Sequence, residues 1–137
     1  MTMRRYRFIL PMIALFLLSA FRTDKPAYRI FTGEGKKADF ADVLKQAAQS
    51  EVVYFGELHN NPISHWLQYE LARVLHEAVG GRLVLGAEMF EADNQLLLDE
   101  YVGGRISARN FESQSRLWPN YKTDYKPLVD FAKAEGL

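Results

Sequence analysis

Glu57 and His59 stand two residues apart where an apolar run, Val52-Val53-Tyr54-Phe55-Gly56, gives way to polar residues, and a second acid, Glu88, closes another such run, Leu83-Val84-Leu85-Gly86-Ala87. Residues two apart in an extended chain point the same way, so Glu57 and His59 address one pocket if the strand reaches them. Two carboxylates and an imidazole converging on a crevice suit a hard or borderline divalent cation, or an acid and base pair. Spacing alone does not choose between these, and a strand-end Glu can equally pair with a Lys or cap a helix. Glu88 shifts the balance, because a second acid at the end of a buried run has few structural reasons to be there.

Further candidates surround these three. His65 falls in the first turn of the helix that opens at Asn61-Pro62. It lies on the face opposite the apolar stripe, as His76 does, so solvent exposure is the default for both; placement near the site keeps His65 as a candidate ligand. Gln95 comes early in a later helix and is placed either to orient a site residue or on the surface. Met89 and Phe90, just past Glu88, add apolar wall. Trp118-Pro119-Asn120-Tyr121 and Tyr125 form an aromatic stretch of the kind that usually packs under a long loop. A flat apolar cofactor also wants such residues, and a tyrosine phenolate is one of the axial ligands of haem iron.

The elements that must hold these residues read as alternating strands and helices. Tyr28 to Thr32 is a short first strand before the Gly33-Glu34-Gly35 turn. Asp39 caps a helix through about Gln49, with Phe40, Val43, Leu44 and Ala47 on one face. Glu51 to Gly56 is the central strand. Asn61 caps and Pro62 opens a helix to about Val79, with Ile63, Leu67, Leu71, Val74 and Ala78 on one side and Gly80-Gly81 at its end. Arg82 to Glu88 is a second buried strand.

Strand, helix and strand from Glu51 to Glu88 have the length of a right-handed parallel crossover, which brings both carboxyl ends, and both glutamates, to one crevice. Asp93 caps a third helix through about Val102, Ile106 to Tyr121 is irregular and aromatic, and a last helix runs from Tyr125 or Lys126 to Glu135. The fold class is α/β, a partial parallel sheet with flanking helices. Its unpaired apolar edge marks an incomplete domain.

With 137 residues, 48% hydrophobic and 25% charged, the chain has ordinary globular composition and room for one domain. Seventeen basic residues balance seventeen acidic ones, which gives no electrostatic case for nucleic acid. With no cysteine, disulfides, thiolate nucleophiles and thiolate-held metals are excluded. Arg4, Arg5 and Arg7 precede an apolar run from Phe8 to Leu18 that is short of a membrane span, the pattern of a signal peptide over residues 1–20 cut after Ala20. Losing those three arginines takes the net charge from +0 to −3 over residues 21–137. Phe21 stands where a lipoprotein signal needs cysteine, so the expected address is the periplasm or outer cell envelope without a lipid anchor on cysteine.

Three blocks together resemble the ChaN-like haem-binding uptake proteins of bacteria, in the superfamily of Tiki, TraB and erythromycin esterase-like proteins. They are Phe55-Gly56-Glu57-Leu58-His59-Asn60-Asn61-Pro62, then Ala87-Glu88-Met89-Phe90-Glu91 followed by Gln95, then Trp118 to Tyr121 with Tyr125 before a helix. The resemblance runs from Val52 to Leu137. It implies an α/β domain, export, and a role in haem or iron acquisition, with haem held at a face shared between subunits, hence a homodimer working with envelope haem-uptake components. Two departures stand out: the family domain is about twice as long as residues 21–137, and its usual lipoprotein cysteine is absent.

Two functions of different class follow. The leading one is haem binding: Tyr121 or Tyr125 supplies an axial phenolate, Trp118 and Phe90 wall the ring, and His59 or His65 supplies a hydrogen bond or second ligand, with Glu57, Glu88 and Gln95 around them. It asks only for binding, not catalysis. Its rival is a hydrolase in which Glu57, His59 and Glu88 hold a divalent metal whose bound water attacks an ester or peptide. The blander third reading is a half-domain that does nothing alone.

Overall fold

The computed structural model describes residues 25–137, so the segment expected to be a signal peptide and most of the linker expected after it lie outside the described residues. The described chain is mixed α/β. Ile30–Phe31 (β1) and Lys37–Ala38 (β2) pair antiparallel, Ile30 against Ala38 and Phe31 against Lys37. Five helices follow: Phe40–Ala47 (α1), Pro62–Ala78 (α2), Gln95–Val102 (α3), Ala108–Gln114 (α4) and Lys126–Glu135 (α5). A 3₁₀ turn, Ala92–Asn94, leads into α3, and a π-helical turn, Tyr121–Tyr125, leads into α5. Among the described residues no helix is long and apolar enough to cross a membrane.

Caps explain where the first helices start. Asp39 and Asp42 form a reciprocal capping box on α1, each side chain taking the other's backbone N–H at 3.0 Å. Asn61 Oδ1 accepts from the N–H groups of Ile63 and Ser64 at 3.0 and 3.2 Å, and Pro62 follows at the first helical position of α2. The chain leaves α2 through Gly80 and Gly81, both at positive φ, with the Gly81 N–H closing on the His76 carbonyl.

Two differences from expectation concern the later helices. Asp93 does not cap α3: it lies inside the 3₁₀ turn, and its carboxylate pairs with Arg116 at 3.0 Å. The Ile106 to Tyr121 stretch is not irregular throughout, because Ser107 Oγ accepts from the Asn110 N–H at 3.2 Å and starts α4.

The parallel sheet is not among the described residues. Val52 to Glu57 and Leu83 to Ala87 carry no regular secondary structure and have no ladder partner, and Glu88 falls in a turn; the one sheet among the described residues is the β1–β2 pair. One face of each segment is held by helices: Phe55 and Leu83 pack on a core of Ala47, Leu71 and Leu75 from α1 and α2. The other face is bare, with Tyr54 92% and Val84 89% exposed. A strand needs a neighbour in hydrogen-bonding register as well as an apolar face, and only the apolar face is supplied here.

A second and larger core holds Met89, Phe90, Tyr101, Phe111, Tyr121, Tyr125 and Val129. Phe111 is fully buried and stacks on Tyr101 with centroids 4.8 Å apart, which makes it the centre of this aromatic cluster. Between the two cores runs α2, which packs on α1 to one side and on α5 and the π-helical turn to the other.

Candidate functional site

Where the first of these segments ends, at Glu57, three parts of the chain meet. Glu57 and His59 come from the loop after Gly56, His65 from the first turn of α2, and Trp118, Asn120, Asp124 and Tyr125 from the loop and π-helical turn before α5. A widened π turn at this place fits the habit of such turns to occur at functional sites. Buried Asn94 fixes the incoming loop, its Oδ1 accepting the Arg116 N–H at 2.9 Å, while the Arg116 guanidinium reaches Glu91 at 2.6 Å.

Glu57 is the hub. Its Oε1 accepts from the Tyr125 hydroxyl at 2.7 Å and lies 3.1 Å from His59 Nδ1; its Oε2 lies 3.0 Å from His65 Nδ1. That last contact is close enough for an ion pair but is off the line an aligned hydrogen bond needs, and neither atom has another partner among the described residues. The far nitrogen of His65, Nε2, is 3.1 Å from the His59 carbonyl oxygen and 3.9 Å from Asp124 Oδ2. The His65 ring also stands edge-on to Tyr125 at 4.7 Å.

The site residues therefore divide into a buried layer and an exposed one. His65 is 4% exposed and Tyr125 2%, whereas the His59 side chain is 58% exposed and stands edge-on to Trp118, ring centroids 4.8 Å apart. His59 Nδ1 faces Glu57, which leaves Nε2 toward solvent and without a partner among the described residues. Burial, and after it the hydrogen bond to the Glu57 carboxylate, pushes the Tyr125 phenol well above its ordinary range. Burial does the same to Tyr121, with smaller contributions from Tyr101 and Asp130. The Tyr121 hydroxyl has no hydrogen-bond partner among the described residues.

Of the residues singled out from sequence, Glu57, His59, His65, Trp118 and Tyr125 come together. The solvent-exposed default for His65 is overturned by its burial, and His76 is partly covered, edge-on to Phe131 and 3.4 Å from Glu135. Phe90 is not a wall of the site: it lies in the aromatic core, tilted against Phe111 and edge-on to Tyr121. Tyr121 belongs to that core as well. Gln95 is exposed and turns its amide to Asp99 at 2.7 Å.

Glu88 is exposed, and no three His, Asp or Glu residues among those described are grouped to hold a metal ion, so the Glu57, His59 and Glu88 centre is not formed. Without the parallel ladder nothing draws the two strand ends together. Two cavities, of 670 Å³ beside β1 and β2 and of 260 Å³ between α2 and α5, lie away from this cluster. Asn120 and Asp124 were not singled out from sequence. Their only signal was polarity inside an aromatic stretch, since the His59 carbonyl that Asn120 binds is 61 residues away.

Residues 43–137 match the family described as haem-binding uptake, Tiki superfamily, ChaN. No curated protein and no solved structure matches the chain.

Proposed function

Because the chain belongs to the ChaN haem-binding uptake family of the Tiki superfamily, we propose that it is an exported protein that binds haem for bacterial iron acquisition, with His59 Nε2 as the iron ligand. One observation carries the assignment: His59 presents an exposed ring whose Nδ1 is backed by the Glu57 carboxylate at 3.1 Å. Metal-ligating histidines almost always donate their other nitrogen to a carboxylate or carbonyl, which fixes the tautomer and raises ligand basicity. Trp118, edge-on to the same ring, offers the apolar surface a flat macrocycle wants. This donor set fits haem, whose iron supplies the coordination chemistry when it is bound.

A phenolate ligand from Tyr125 fits less well. Its hydroxyl is committed to Glu57, its ring is buried, and both facts oppose ionisation. Tyr121 is buried in the aromatic core as well, and burial opposes its ionisation too. Because the His59 side chain is 58% exposed, a bound macrocycle keeps one side uncovered, which suits a site shared with a second copy of the chain. Arg4, Arg5 and Arg7 before the Phe8 to Leu18 run support export.

The test is an absorbance titration with hemin on the protein recovered from the periplasmic fraction, where its N-terminus is expected at Phe21. A saturable Soret shift is expected, weakened about tenfold or more in His59→Ala and much less in Tyr125→Phe. No saturable shift in the wild type ends the haem reading. Equal binding by His59→Ala moves the ligand elsewhere.

A further inference from the structure

We infer that Asn120 is a positioning residue, which grips the His59 backbone carbonyl and so sets the His59 ring against Trp118. The consequence for haem rests on the function proposed above; the grip itself is present in the unliganded protein. Asn120 Nδ2 donates to the His59 carbonyl at 2.5 Å and to Asp124 Oδ2 at 2.7 Å. Both partners are acceptors only, which assigns the amide its orientation and spends both of its N–H groups. His65 Nε2 approaches the same carbonyl at 3.1 Å, so the two lone pairs of the His59 oxygen are engaged from different elements.

The placement gives the grip its leverage. Asn120 is two residues beyond Trp118, in the segment whose other end is fixed at Arg116 by Asn94. The His59 loop has few other anchors: the Asn61 N–H closes a turn on the Leu58 carbonyl, and Nδ1 of the ring faces Glu57. Asn120 therefore joins two parts of the site that are far apart in sequence, the imidazole and the indole it stands against. Glu57 fixes which way the ring is turned, and Asn120 fixes where its backbone lies. A ligand nitrogen displaced by a fraction of an ångström loses alignment with its metal, so such a residue acts on affinity without touching the ligand.

The experiment uses Asn120→Ala, which removes the grip, and Asn120→Asp, which keeps the size and replaces the donor by an acceptor facing two acceptors. The first readout is taken without haem, as the NMR signals of the His59 ring and the Trp118 indole. Both are expected to move in both variants, and hemin affinity to fall about tenfold. Ser107→Ala, which removes the α4 cap away from these contacts, is the stability control and is expected to lower Tm while leaving the His59 signals and hemin affinity unchanged. His59 signals that stay in place in the Asn120 variants overturn the inference, as does loss of folding in both variants, which would make Asn120 structural. If the wild type takes up no hemin, the proposed function fails, yet the NMR comparison still decides what Asn120 does.

Discussion

Tyr121 and Tyr125 stand one turn apart, both almost wholly buried, and differ in one respect: the Tyr125 hydroxyl donates to Glu57 at 2.7 Å and the Tyr121 hydroxyl has no partner among the described residues. A buried hydroxyl without a hydrogen bond has lost its water for nothing, whereas one bonded to a carboxylate returns more than an ordinary hydrogen bond. Tyr121→Phe should therefore be neutral or stabilising by up to about 1 kcal/mol, and Tyr125→Phe should cost about 1–3 kcal/mol because Glu57 loses a donor in a mostly buried place. Urea melts of the two variants check this, and equal destabilisation of both would contradict it. The raised Tyr121 pKa also has a sign. The folded protein holds that proton more tightly than the unfolded chain, so the associated stability is whole below about pH 10 and declines as pH rises above it. Tyr121→Phe should shallow that alkaline decline.

Among the elements, α2 shows best what a sequence can and cannot reveal. Its start and end were readable because Asn61, Pro62 and the Gly80-Gly81 pair act within a few residues of themselves. The cap is worth about 1 kcal/mol, so Asn61→Ala should lower stability by that amount and loosen the first turn that carries His65, visible as faster amide exchange at Ile63 and Ser64. The buried face was misread. A single stripe of Ile63, Leu67, Leu71, Val74 and Ala78 supposes one partner, but α2 lies between two, and the structure buries His65, Leu71, Ala72 and Leu75 while Ala78 is exposed. An imidazole on the second buried face looks, in sequence, like one in solvent. For the same reason the meeting of Glu57, His59, His65, Trp118 and Tyr125 was partly legible, through blocks of residues, while the Asn120 grip and the core positions of Phe90 and Tyr121 were not. Those depend on contacts between distant segments, which leave no local pattern.

On the scale of the whole molecule, the two cores are joined through α2, and the Glu57 cluster lies where α2 meets the π-helical turn. Beside the smaller core lie the segments Val52 to Glu57 and Leu83 to Ala87, which have no ladder partner among the described residues. Apolar strands that lack hydrogen-bonded neighbours keep backbone N–H groups in water, and their amides exchange freely however well one face is packed. Hydrogen exchange should thus divide the described chain sharply: near open-chain rates at Val53, Tyr54, Val84 and Leu85, and strong protection at Leu71, Leu75, Tyr101 and Phe111, whose amides lie within helices at or near the two cores. The measurement discriminates between two arrangements of the same sequence. Protection of both segments, rising and falling together, would mean that they have found ladder partners and that the parallel crossover forms in solution. That outcome would bring Glu88 toward Glu57 and enlarge the site, because the ends of adjacent parallel strands share one crevice. Free exchange at both leaves His59, backed by Glu57 and standing against Trp118, as the part of the site that functions without them.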